Sequence, residues 1–331
     1  MPKVSVLIPA YNHEKYVKSA IQSVLDQRFQ DFEIIITDDC SSDNTLREIR
    51  DFSDPRIKVF VHEKNLGAVV AERTCFENSV GEYIAILNSD DMFLPDKLEK
   101  QVKFLDENIQ YGAVFSYAEI IDENGAPFTD QEHFYFKKFE QPNRNRYQWL
   151  NFFFNYGNCL CHPSVLIRRQ CYDTTGFYNE NFAQLPDFDF WIRLCLRYEI
   201  FILPEKMVNF RILSDNKNAS SGSEEARLRD SVEFYQILNN FLLIESYDDF
   251  IKIFPRPDIT LKNEDSDLIP YYIARLCLER NNPIYHLFAL TVLYTLFTDK
   301  EMVNKIQKKY NFFSADLIRY TGSLKVFNFN L

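Results

Sequence analysis

Short apolar runs alternate with amphipathic stretches along the first third of the chain. Apolar residues spaced three and four apart predict helices at residues 14–25, 41–50, 67–79 and from Pro95 onwards. Runs rich in Val and Ile predict strands at residues 3–8, 32–37, 57–61, 83–87 and 113–117. These repeated strand–helix units predict an α/β fold with a doubly wound, mostly parallel sheet and helices on both faces.

The pattern changes beyond the fifth predicted strand. Residues 122–158 are polar and aromatic with weak periodicity, which predicts an irregular region. Strand character returns at residues 161–168 and 200–203, on either side of a predicted helix at residues 187–196. A polar loop rich in Asn and Ser at residues 214–223 indicates a domain boundary, and the chain beyond it is mostly helical.

Polar side chains follow three of the predicted strands. In open α/β sheets ligands bind beyond the carboxyl ends of the strands, so these side chains are candidates for one site. They are Pro9, Tyr11 and Asn12 after the first strand, Asp38 and Asp39 after the second, and Asn88, Asp90 and Asp91 after the fourth.

The acidic pair Asp90-Asp91 is the first candidate for chemistry. Two adjacent carboxylates repel each other unless a cation lies beside them. Oxygen ligands suit Mg²⁺ or Mn²⁺, and these ions also bind diphosphate oxygens. The alternative is that the pair forms a turn and caps the helix that begins near Pro95.

The remaining acidic residues also have two interpretations each. Asp38 and Asp39 either accept a hydrogen bond from a base or ribose, with Tyr11 stacking on the base, or cap the following helix. Asp187 and Asp189 stand at the start of a predicted helix. There, one of them acts as a general base, or both stabilise the helix dipole.

Composition and charge narrow the class of protein. A formal net charge of -11 argues against binding to nucleic acid, which requires clustered Lys and Arg. The 7 Cys lack a paired CxxC spacing, and we interpret them as reduced thiols in a cytosolic protein. No secretory signal or membrane-spanning run is recognisable, which predicts a cytoplasmic protein that at most contacts the inner membrane surface.

The ordered set of motifs is more specific than any of its parts. In this order, PAYN, DDCSSDNT, GEYIAILNSDD, CHPSVLIRR and PDFDFWIRL closely resemble the family 2 glycosyltransferases of the GT-A fold, over roughly residues 1–221. The resemblance implies a catalytic domain at residues 1–222, with a nucleotide-sugar half at 1–117 and an acceptor half at 118–222. Residues 223–331 form a helical region with a packing, oligomer or membrane-surface role.

The resemblance also implies a role for each motif. The nucleotide-sugar contacts are Pro9, Tyr11, Asn12, Asp38, Asp39, Arg73, Asn88 and Asp90, with Mn²⁺ or Mg²⁺ held by Asp90 and Asp91. Asp187 matches the catalytic base, and acceptor or diphosphate contacts fall to His162, Asp189 and Trp191.

The chain departs from the family pattern at several positions. Asn88 replaces the first Asp of the usual D-x-D, and Pro186 replaces the Glu that precedes the catalytic Asp. The usual Ala-Arg-Asn reads Ala71-Glu72-Arg73, so Arg73 would serve the phosphate only after a one-residue shift. Leu213 stands where a metal-binding His is often found. The signature of processive enzymes is not visible.

The resemblance therefore predicts an inverting enzyme that adds a single sugar. The donor would be a nucleotide-sugar, with UDP favoured, and the acceptor a hydroxyl of a bacterial-type surface glycan or lipid-linked glycan. One alternative is a non-catalytic binding or scaffold protein, which the departures leave open. Another is a sugar nucleotidyltransferase, which usually needs a Gly-rich basic loop where this chain has PAYN.

The C-terminal region carries its own two interpretations. Its many aromatic residues indicate a helical subdomain that packs through them, or a homodimer interface. A short basic stretch favours contact with anionic lipid headgroups, and it consists of Lys300, Lys305, Lys308 and Lys309.

Overall fold

The computed structural model describes residues 1–130, 133–213, 223–256 and 263–326. The chain forms two compact units, Met1–Ala226 and Arg227–Leu331. Most of the predicted boundary loop at 214–223 lies outside the described residues. The division into a nucleotide-sugar half and an acceptor half stays a prediction.

The first unit contains an eight-stranded sheet in the order β3-β2-β1-β4-β7-β6-β8-β5. Parallel pairs join β3, β2, β1 and β4, and also β6 with β8, whereas β7 and β5 run antiparallel to their neighbours. The strands are β1 (Val4–Ala10), β2 (Phe32–Asp38), β3 (Ile57–Val61), β4 (Tyr83–Ile86), β5 (Met92–Phe93), β6 (Tyr111–Ile121), β7 (Leu166–Arg168) and β8 (Glu199–Arg211). The predicted α/β class with a mostly parallel sheet is confirmed.

Helices cover both faces of this sheet, as predicted. Val6 and Ile36 belong to a core shared with α1 and α4, while Thr37 on the opposite face contacts Cys75 of α3, with 3.0 Å between Oγ1 and Sγ. The helices of this unit are α1 (Val17–Leu25), α2 (Thr45–Arg50), α3 (Ala68–Glu77), α4 (Lys97–Glu107), α5 (Phe134–Lys138), α6 (Arg146–Tyr156), α7 (Arg169–Thr175) and α8 (Pro186–Cys195).

The region expected to be irregular contains two helices, α5 and α6. A capping box starts α6. The Asn145 side chain accepts a hydrogen bond from the Gln148 backbone amide, and the Gln148 side chain accepts one from the Asn145 backbone amide. The helix buries Trp149 and Phe153 but also carries half-buried aromatics. Because aromatic residues lie around much of the helix, its sequence lacks the contrast between faces on which a periodicity argument depends.

Two predicted strands have different bounds in the structure. Of residues 161–168, only Leu166–Arg168 joins the sheet, and His162–Ser164 forms a turn of 3-10 helix. Pro163 has no backbone N–H to donate to a neighbouring strand, which explains why the strand begins only at Leu166. The strand expected at 200–203 extends over 13 residues to Arg211, across three exposed residues at 204–206 and register shifts against β6.

A fully buried lysine ties α4 to the segment that precedes β7. Lys97 Nζ donates to Gln101 Oε1 at 2.8 Å and to the Val165 carbonyl at 3.1 Å. It also lies 4.2 Å from the centre of the Phe93 ring. Burial lowers the pKa of Lys97 to about 7, because an ammonium group loses its hydration there.

The second unit is helical and packs through its aromatic residues. Tyr271 stacks on Tyr310 at 5.1 Å and meets Phe312 edge-on at 5.8 Å. Among the described residues, no helix is both long and apolar enough to cross a membrane. The helices are α9 (Glu224–Ile237), which starts in the first unit, α10 (Tyr247–Ile253), α11 (Ile269–Leu278), α12 (Pro283–Leu296), α13 (Lys300–Tyr310) and α14 (Ser314–Ser323).

The basic stretch of α13 is partly neutralised within the protein. Lys305 forms an ion pair with Asp267, and Lys309 forms one with Asp265. These pairs reduce the positive charge available for anionic headgroups, because each lysine already faces a carboxylate. Contact with a membrane surface and formation of a homodimer stay predictions.

The close approach of β1 to the start of β4 makes Gly81 a test of the packing. A Cβ atom at Gly81 would lie 2.5 Å from the Ser5 amide nitrogen and 2.6 Å from Ser5 Oγ. We expect Gly81→Ala to lower the free energy of unfolding by about 1–3 kcal/mol, because the backbone must shift. Urea denaturation followed by circular dichroism measures this.

Gly322→Ala is the matched control for this substitution. A Cβ atom at Gly322 in α14 meets no atom of the described residues within 4 Å, so the change should be neutral or stabilise by up to ~1 kcal/mol. Equal effects of the two substitutions would contradict the packing described for Gly81.

Candidate active site

The candidate residues of the first strands meet at one edge of the sheet, as the sequence predicts. Ala10 and Asp38 are register partners at the ends of β1 and β2. The Asp39 amide then donates to the Ala10 carbonyl at 2.8 Å. Asn88 follows β4, the neighbour of β1 on its other side. The loops after three parallel strands therefore lie side by side.

Asn12 connects the loops that follow β1 and β2. Its φ of 51° is left-handed, and its Oδ1 accepts from the Ser42 amide at 2.8 Å. The backbone amide of Asn12 donates to Ser41 Oγ at 3.0 Å. Tyr11, held beside this junction, is 44% exposed and therefore presents ring surface to a ligand.

Asp38 and Asp39 are both buried but differ in their partners. Asp39 Oδ1 accepts from the Leu66 amide at 2.9 Å, and Oδ2 accepts from the Gly67 amide at 2.8 Å. His62 Nδ1 lies 2.7 Å from Asp39 Oδ1 and was not foreseen from the sequence. Asp39 therefore holds the loop that leads into α3.

Asp38 retains an acceptor without a protein partner. Its Oδ2 accepts from the Ser41 amide at 3.0 Å. Its Oδ1 is buried and has no hydrogen-bond partner within the part of the chain that the structure describes. A buried carboxylate oxygen without a partner costs free energy, so a donor N–H from a ligand would stabilise it. Of the two predicted base contacts, Asp38 has the available oxygen.

The acidic pair after β4 is buried, with Asp90 8% exposed and Asp91 1% exposed. Asp91 Oδ1 accepts from the Arg211 amide at 2.8 Å, and Oδ2 accepts from Asn88 Nδ2 at 2.9 Å. Asn88 therefore acts as a donor that orients Asp91. Its predicted contact with the nucleotide-sugar stays a prediction.

Burial and mutual repulsion disfavour the charges of this pair. Burial raises the pKa of Asp90, against the opposing effect of His13 and Arg211. Burial and the Asp90 charge raise the pKa of Asp91 well above its ordinary value. A cation beside the pair would relieve both effects, because it favours the ionised carboxylates.

The pair fits the mode in which a metal–nucleotide complex binds. In residues 1–130, 133–213, 223–256 and 263–326, no group of three or more His, Cys, Asp or Glu side chains is arranged to hold a metal ion. Mg²⁺ is commonly bound by one or two carboxylates together with substrate phosphates and water. Asp90 and Asp91 fit this donor set, and the oxygens of Asp91 are already oriented by Arg211 and Asn88.

Arg211 supports the acidic pair from the end of β8. Its Nε donates to the Asp90 carbonyl at 2.7 Å, and its guanidinium lies 4.9 Å from the centre of the Tyr16 ring. Arg211 lies two residues before Leu213 and carries no predicted role. A cavity of about 580 Å³ adjoins this group and is lined by Lys15, Tyr16, Ser19, Met92, Glu123, Asn124, Gly125 and Arg211.

Asp187 is held by two donors at the start of α8. Pro186 occupies the first turn of the helix, where its missing N–H costs nothing. The Phe188 amide donates to Asp187 Oδ1 and Asn158 Nδ2 donates to Oδ2, both at 2.8 Å. Asn158 was not foreseen because it lies in a loop without a motif. The carboxylate is half-buried and oriented, as a general base requires.

His162 and Trp191 lie in an aromatic cluster. His162 Nε2 is 3.2 Å from Tyr178 Oη, and its ring centre is 5.9 Å from that of Trp191. Burial lowers the pKa of His162, while the Asp187 charge opposes this effect. Trp191 is fully buried and meets Phe115 edge-on at 4.9 Å. Their predicted contacts with acceptor or diphosphate stay predictions.

Two further candidates are engaged in ion pairs. Asp189 Oδ2 accepts from Arg193 Nε at 2.9 Å and from Nη2 at 2.7 Å. Arg73 pairs with Glu180 and lies 5.0 Å from the Phe177 ring. A diphosphate role for Arg73 would require this ion pair to open. Both predicted roles remain predictions beside these structural contacts.

Glu72 is a buried acid that sequence analysis passed over in favour of Arg73. It is 5% exposed, and its Oε1 has no hydrogen-bond partner among the described residues. Burial, with a smaller effect from the Asp187 charge, raises the pKa of Glu72 to about 8. The glutamic acid is therefore mostly neutral at pH 7.

The raised pKa of Glu72 makes folding stability depend on pH. Its pKa of about 8 in the folded state exceeds the ordinary 4.5, so the folded state binds more protons between these values. Stability from this group is full below pH 4.5 and is lost as the pH rises towards 8. Glu72→Gln should gain stability relative to wild type by up to about 1.4 kcal/mol per pH unit in this window.

Chemical denaturation of wild type and Glu72→Gln between pH 5 and 8 measures this difference. Glu77→Gln, at an exposed position of the same helix, is the matched control. A difference between Glu72→Gln and wild type that does not vary with pH would contradict the assignment.

Comparison with known proteins gives concordant family matches. The model of glycosyl transferase family 2 matches residues 5–169. An uncharacterized glycosyltransferase of Methanocaldococcus jannaschii is 32% identical over 216 residues, which are 64% of this chain and 71% of the relative. The Escherichia coli UDP-Glc:alpha-D-GlcNAc-diphosphoundecaprenol beta-1,3-glucosyltransferase WfgD is 39% identical over 122 residues, 37% of this chain and 47% of the relative.

Solved structures share the fold at low sequence identity. Staphylococcus aureus TarS 1-349 in complex with UDP-GlcNAc has a TM-score of 0.60 at 18% identity, covering 96% of this chain and 89% of TarS 1-349. The mannosyltransferase PcManGT from Pyrobaculum calidifontis, in complex with GDP-Man and Mn²⁺, has a TM-score of 0.53 at 16% identity. This match covers 97% of this chain and 86% of PcManGT.

Proposed function

Because this chain belongs to glycosyl transferase family 2, we propose that it transfers one sugar, with inversion, from a UDP-sugar to a hydroxyl acceptor. The observation that carries the proposal is the oriented carboxylate of Asp187, held by the Phe188 amide and Asn158. It occurs in the same unit as a buried acidic pair and a row of polar loops at the carboxyl edge of the sheet.

The donor's base would bind at the ends of β1 and β2. The unpartnered Asp38 Oδ1 fits the imide N–H of uracil, and the exposed ring of Tyr11 offers a stacking surface. Asp39 would act indirectly, because its oxygens already hold Leu66 and Gly67. The names of WfgD and the TarS complex, which contain UDP-Glc and UDP-GlcNAc, support UDP as the nucleotide.

Asp187 would act as the general base. Its carboxylate takes the proton of the acceptor hydroxyl, and the resulting oxygen nucleophile attacks the anomeric carbon. The bond from that carbon to the diphosphate oxygen breaks on the opposite face, so the configuration inverts. A positioned base contributes ~10²–10⁴-fold to the rate. Asn158 fixes the orientation of the Asp187 carboxylate, because its Nδ2 donates to Asp187 Oδ2 at 2.8 Å.

Asp90 and Asp91 would bind the divalent ion that accompanies the diphosphate of the donor. A divalent ion bound there supplies Lewis-acid stabilisation of the leaving diphosphate. The contribution of the protein is to orient Asp91 through Arg211 and Asn88. The complex of PcManGT with GDP-Man and Mn²⁺ supports Mn²⁺ or Mg²⁺ as the ion.

The acceptor would belong to bacterial-type glycan assembly. WfgD, whose name specifies a sugar on diphosphoundecaprenol as its acceptor, supports a lipid-linked glycan. The glycosyltransferase of Methanocaldococcus jannaschii and WfgD both support a transferase over a scaffold protein or a nucleotidyltransferase. A surface glycan is the other acceptor that follows from the proposal.

Replacement of the base tests the chemical step. Asp187→Asn should lower transfer by about 10²–10⁴-fold, because the amide cannot accept the proton. It should leave donor binding within about twofold of wild type. Release of nucleoside diphosphate in the presence of acceptor measures transfer, and calorimetry measures donor binding.

Asp173→Asn is the control for this substitution, because Asp173 is an exposed carboxylate of α7. It should keep wild-type transfer. Native transfer by Asp187→Asn would refute the assignment of the base.

The acidic pair predicts different outcomes for its two members. Asp90→Asn should raise the Mn²⁺ concentration for half-maximal transfer about tenfold or more, with little change in the free energy of unfolding. Asp91→Asn should also lower that free energy by about 1–3 kcal/mol, because an amide keeps one acceptor oxygen and one of the two donors, the Arg211 amide or Asn88 Nδ2, loses its partner. Wild type treated with EDTA should lose transfer and regain it with Mn²⁺.

A thermal-shift panel of nucleotide-sugars with and without Mn²⁺ identifies the donor of wild type, since a bound ligand raises the unfolding temperature. Metal-independent donor binding and transfer would refute the metal assignment.

A further inference from the structure

We propose that Glu72 is a sugar-specificity residue whose buried carboxyl group binds a hydroxyl group of the sugar being transferred. This inference rests on the proposed transfer of a sugar from a nucleotide-sugar. It concerns a residue at which the chain departs from its family pattern, since Ala71-Glu72-Arg73 stands where Ala-Arg-Asn is usual. A carboxyl group thereby stands where the family pattern has a guanidinium group.

The first observation is the incomplete hydrogen bonding of Glu72. Its side chain is buried in α3, and Oε1 lacks a partner within the described part of the chain. A buried polar atom without a hydrogen bond costs about 1–3 kcal/mol. A ligand group that hydrogen-bonds to Oε1 would offset this cost and would gain affinity from it.

The second observation is the position of Glu72 relative to Asp187. Phe76 lies one turn after Glu72 on the same face of α3 and contacts the Tyr172 ring at 4.8 Å, and the Asp187 charge contributes to the raised pKa of Glu72. The charge of Glu72 likewise acts on the Tyr172 and Tyr178 hydroxyls, and Tyr178 contacts His162. Glu72 therefore belongs to the group that surrounds the proposed base, where the reacting sugar must lie.

The third observation is the direction from which α3 reaches the site. The helix follows Gly67, whose amide is held by Asp39 in the loop beside the proposed base contacts. The helix α3 packs on β1 and β2, and the carboxyl ends of these two strands carry the proposed base contacts. The donor sugar and the acceptor both carry hydroxyl groups that could bind Glu72. The packing of α3 beside the proposed base contacts assigns the hydroxyl of the donor.

The chemistry of the group suits a hydroxyl ligand. With a pKa raised to about 8 by burial, the carboxyl group is mostly neutral at pH 7 and can both donate and accept. A sugar hydroxyl also donates and accepts, so the pair forms without burying a net charge. A site built to bind such a hydroxyl discriminates strongly against an analogue that lacks it, because its polar group is then left unpaired.

The test compares wild type, Glu72→Gln, Glu72→Leu and the control Glu77→Gln as full-length proteins. The donor is the nucleotide-sugar with the highest wild-type turnover, and its analogues each lack one sugar hydroxyl. Released nucleoside diphosphate is measured first without acceptor, which reports on the donor site alone, and then with acceptor.

Glu72→Leu should lower kcat/KM for the full donor by about 10–100-fold. It should leave kcat/KM for one deoxy analogue unchanged, because that analogue lacks the contacted hydroxyl. Glu72→Gln should lie between wild type and Glu72→Leu, since an amide still donates and accepts. Glu77→Gln should match wild type.

Three results would overturn the proposal. If Glu72→Leu lowers kcat/KM equally for all donors, Glu72 has a purely structural role. If kcat/KM is unchanged for all donors, Glu72 has no role in the site. Unchanged donor hydrolysis with a raised acceptor KM would assign the carboxyl group to the acceptor. Should Glu72→Leu fail to fold, an unchanged ratio between full and deoxy donor in Glu72→Gln overturns the proposal equally.

The experiment separates this inference from the proposed function. Wild type that releases no nucleoside diphosphate from any nucleotide-sugar overturns both. Wild type that turns over a donor, beside Glu72→Leu with unchanged discrimination, overturns only the role of Glu72.

Discussion

The hydrogen bond from the Arg211 amide to Asp91 is the contact on which the arrangement of the site depends. It joins the end of β8 to the turn after β4, across 120 positions of sequence. Arg211 adds a second bond from its guanidinium to the Asp90 carbonyl. Two carboxylates are thereby held in a buried position, where their pKa values rise and a cation is favoured beside them.

The same principle organises the loops at the sheet edge. Short polar side chains connect backbone segments that share no secondary structure, as Asn12 does with residues 41–42 and Asp39 does with residues 66–67. Each bond satisfies an otherwise unpaired amide, so the loops need little apolar packing of their own. The result is a rigid edge on which a few groups remain available, among them Asp38 Oδ1 and the ring of Tyr11.

The acidic residues differ in role because their burial and hydrogen-bond partners differ, not because of their residue type. Asp39 has both oxygens engaged by backbone amides, and Asp189 has its Oδ2 engaged by Arg193, which suits a structural role for each. Asp187 is oriented but only half-buried, so an acceptor hydroxyl can reach it. Glu72 is buried, its Oε1 has no hydrogen-bond partner in the described segments, and the group is mostly neutral at pH 7, which suits hydrogen bonding to an uncharged ligand.

The sequence by itself determined the alternation of strands and helices at residues 3–121 except for the two-residue strand β5, and it determined the α/β class and the family. These features are local, because period and turn chemistry repeat within ten or so residues. The sequence also marked Asp90, Asp91 and Asp187 as candidates, since each ends a strand or starts a helix.

Only the tertiary structure decided which side chains are engaged and which are available. The bonds of Arg211 to Asp91, of Asn158 to Asp187 and of Arg73 to Glu180 join residues 29 to 120 positions apart, and no periodicity encodes them. The helices α5 and α6 were missed because their residues lack contrast between faces. Glu72 was passed over because its significance lies in its burial, which depends on neighbours distant in sequence.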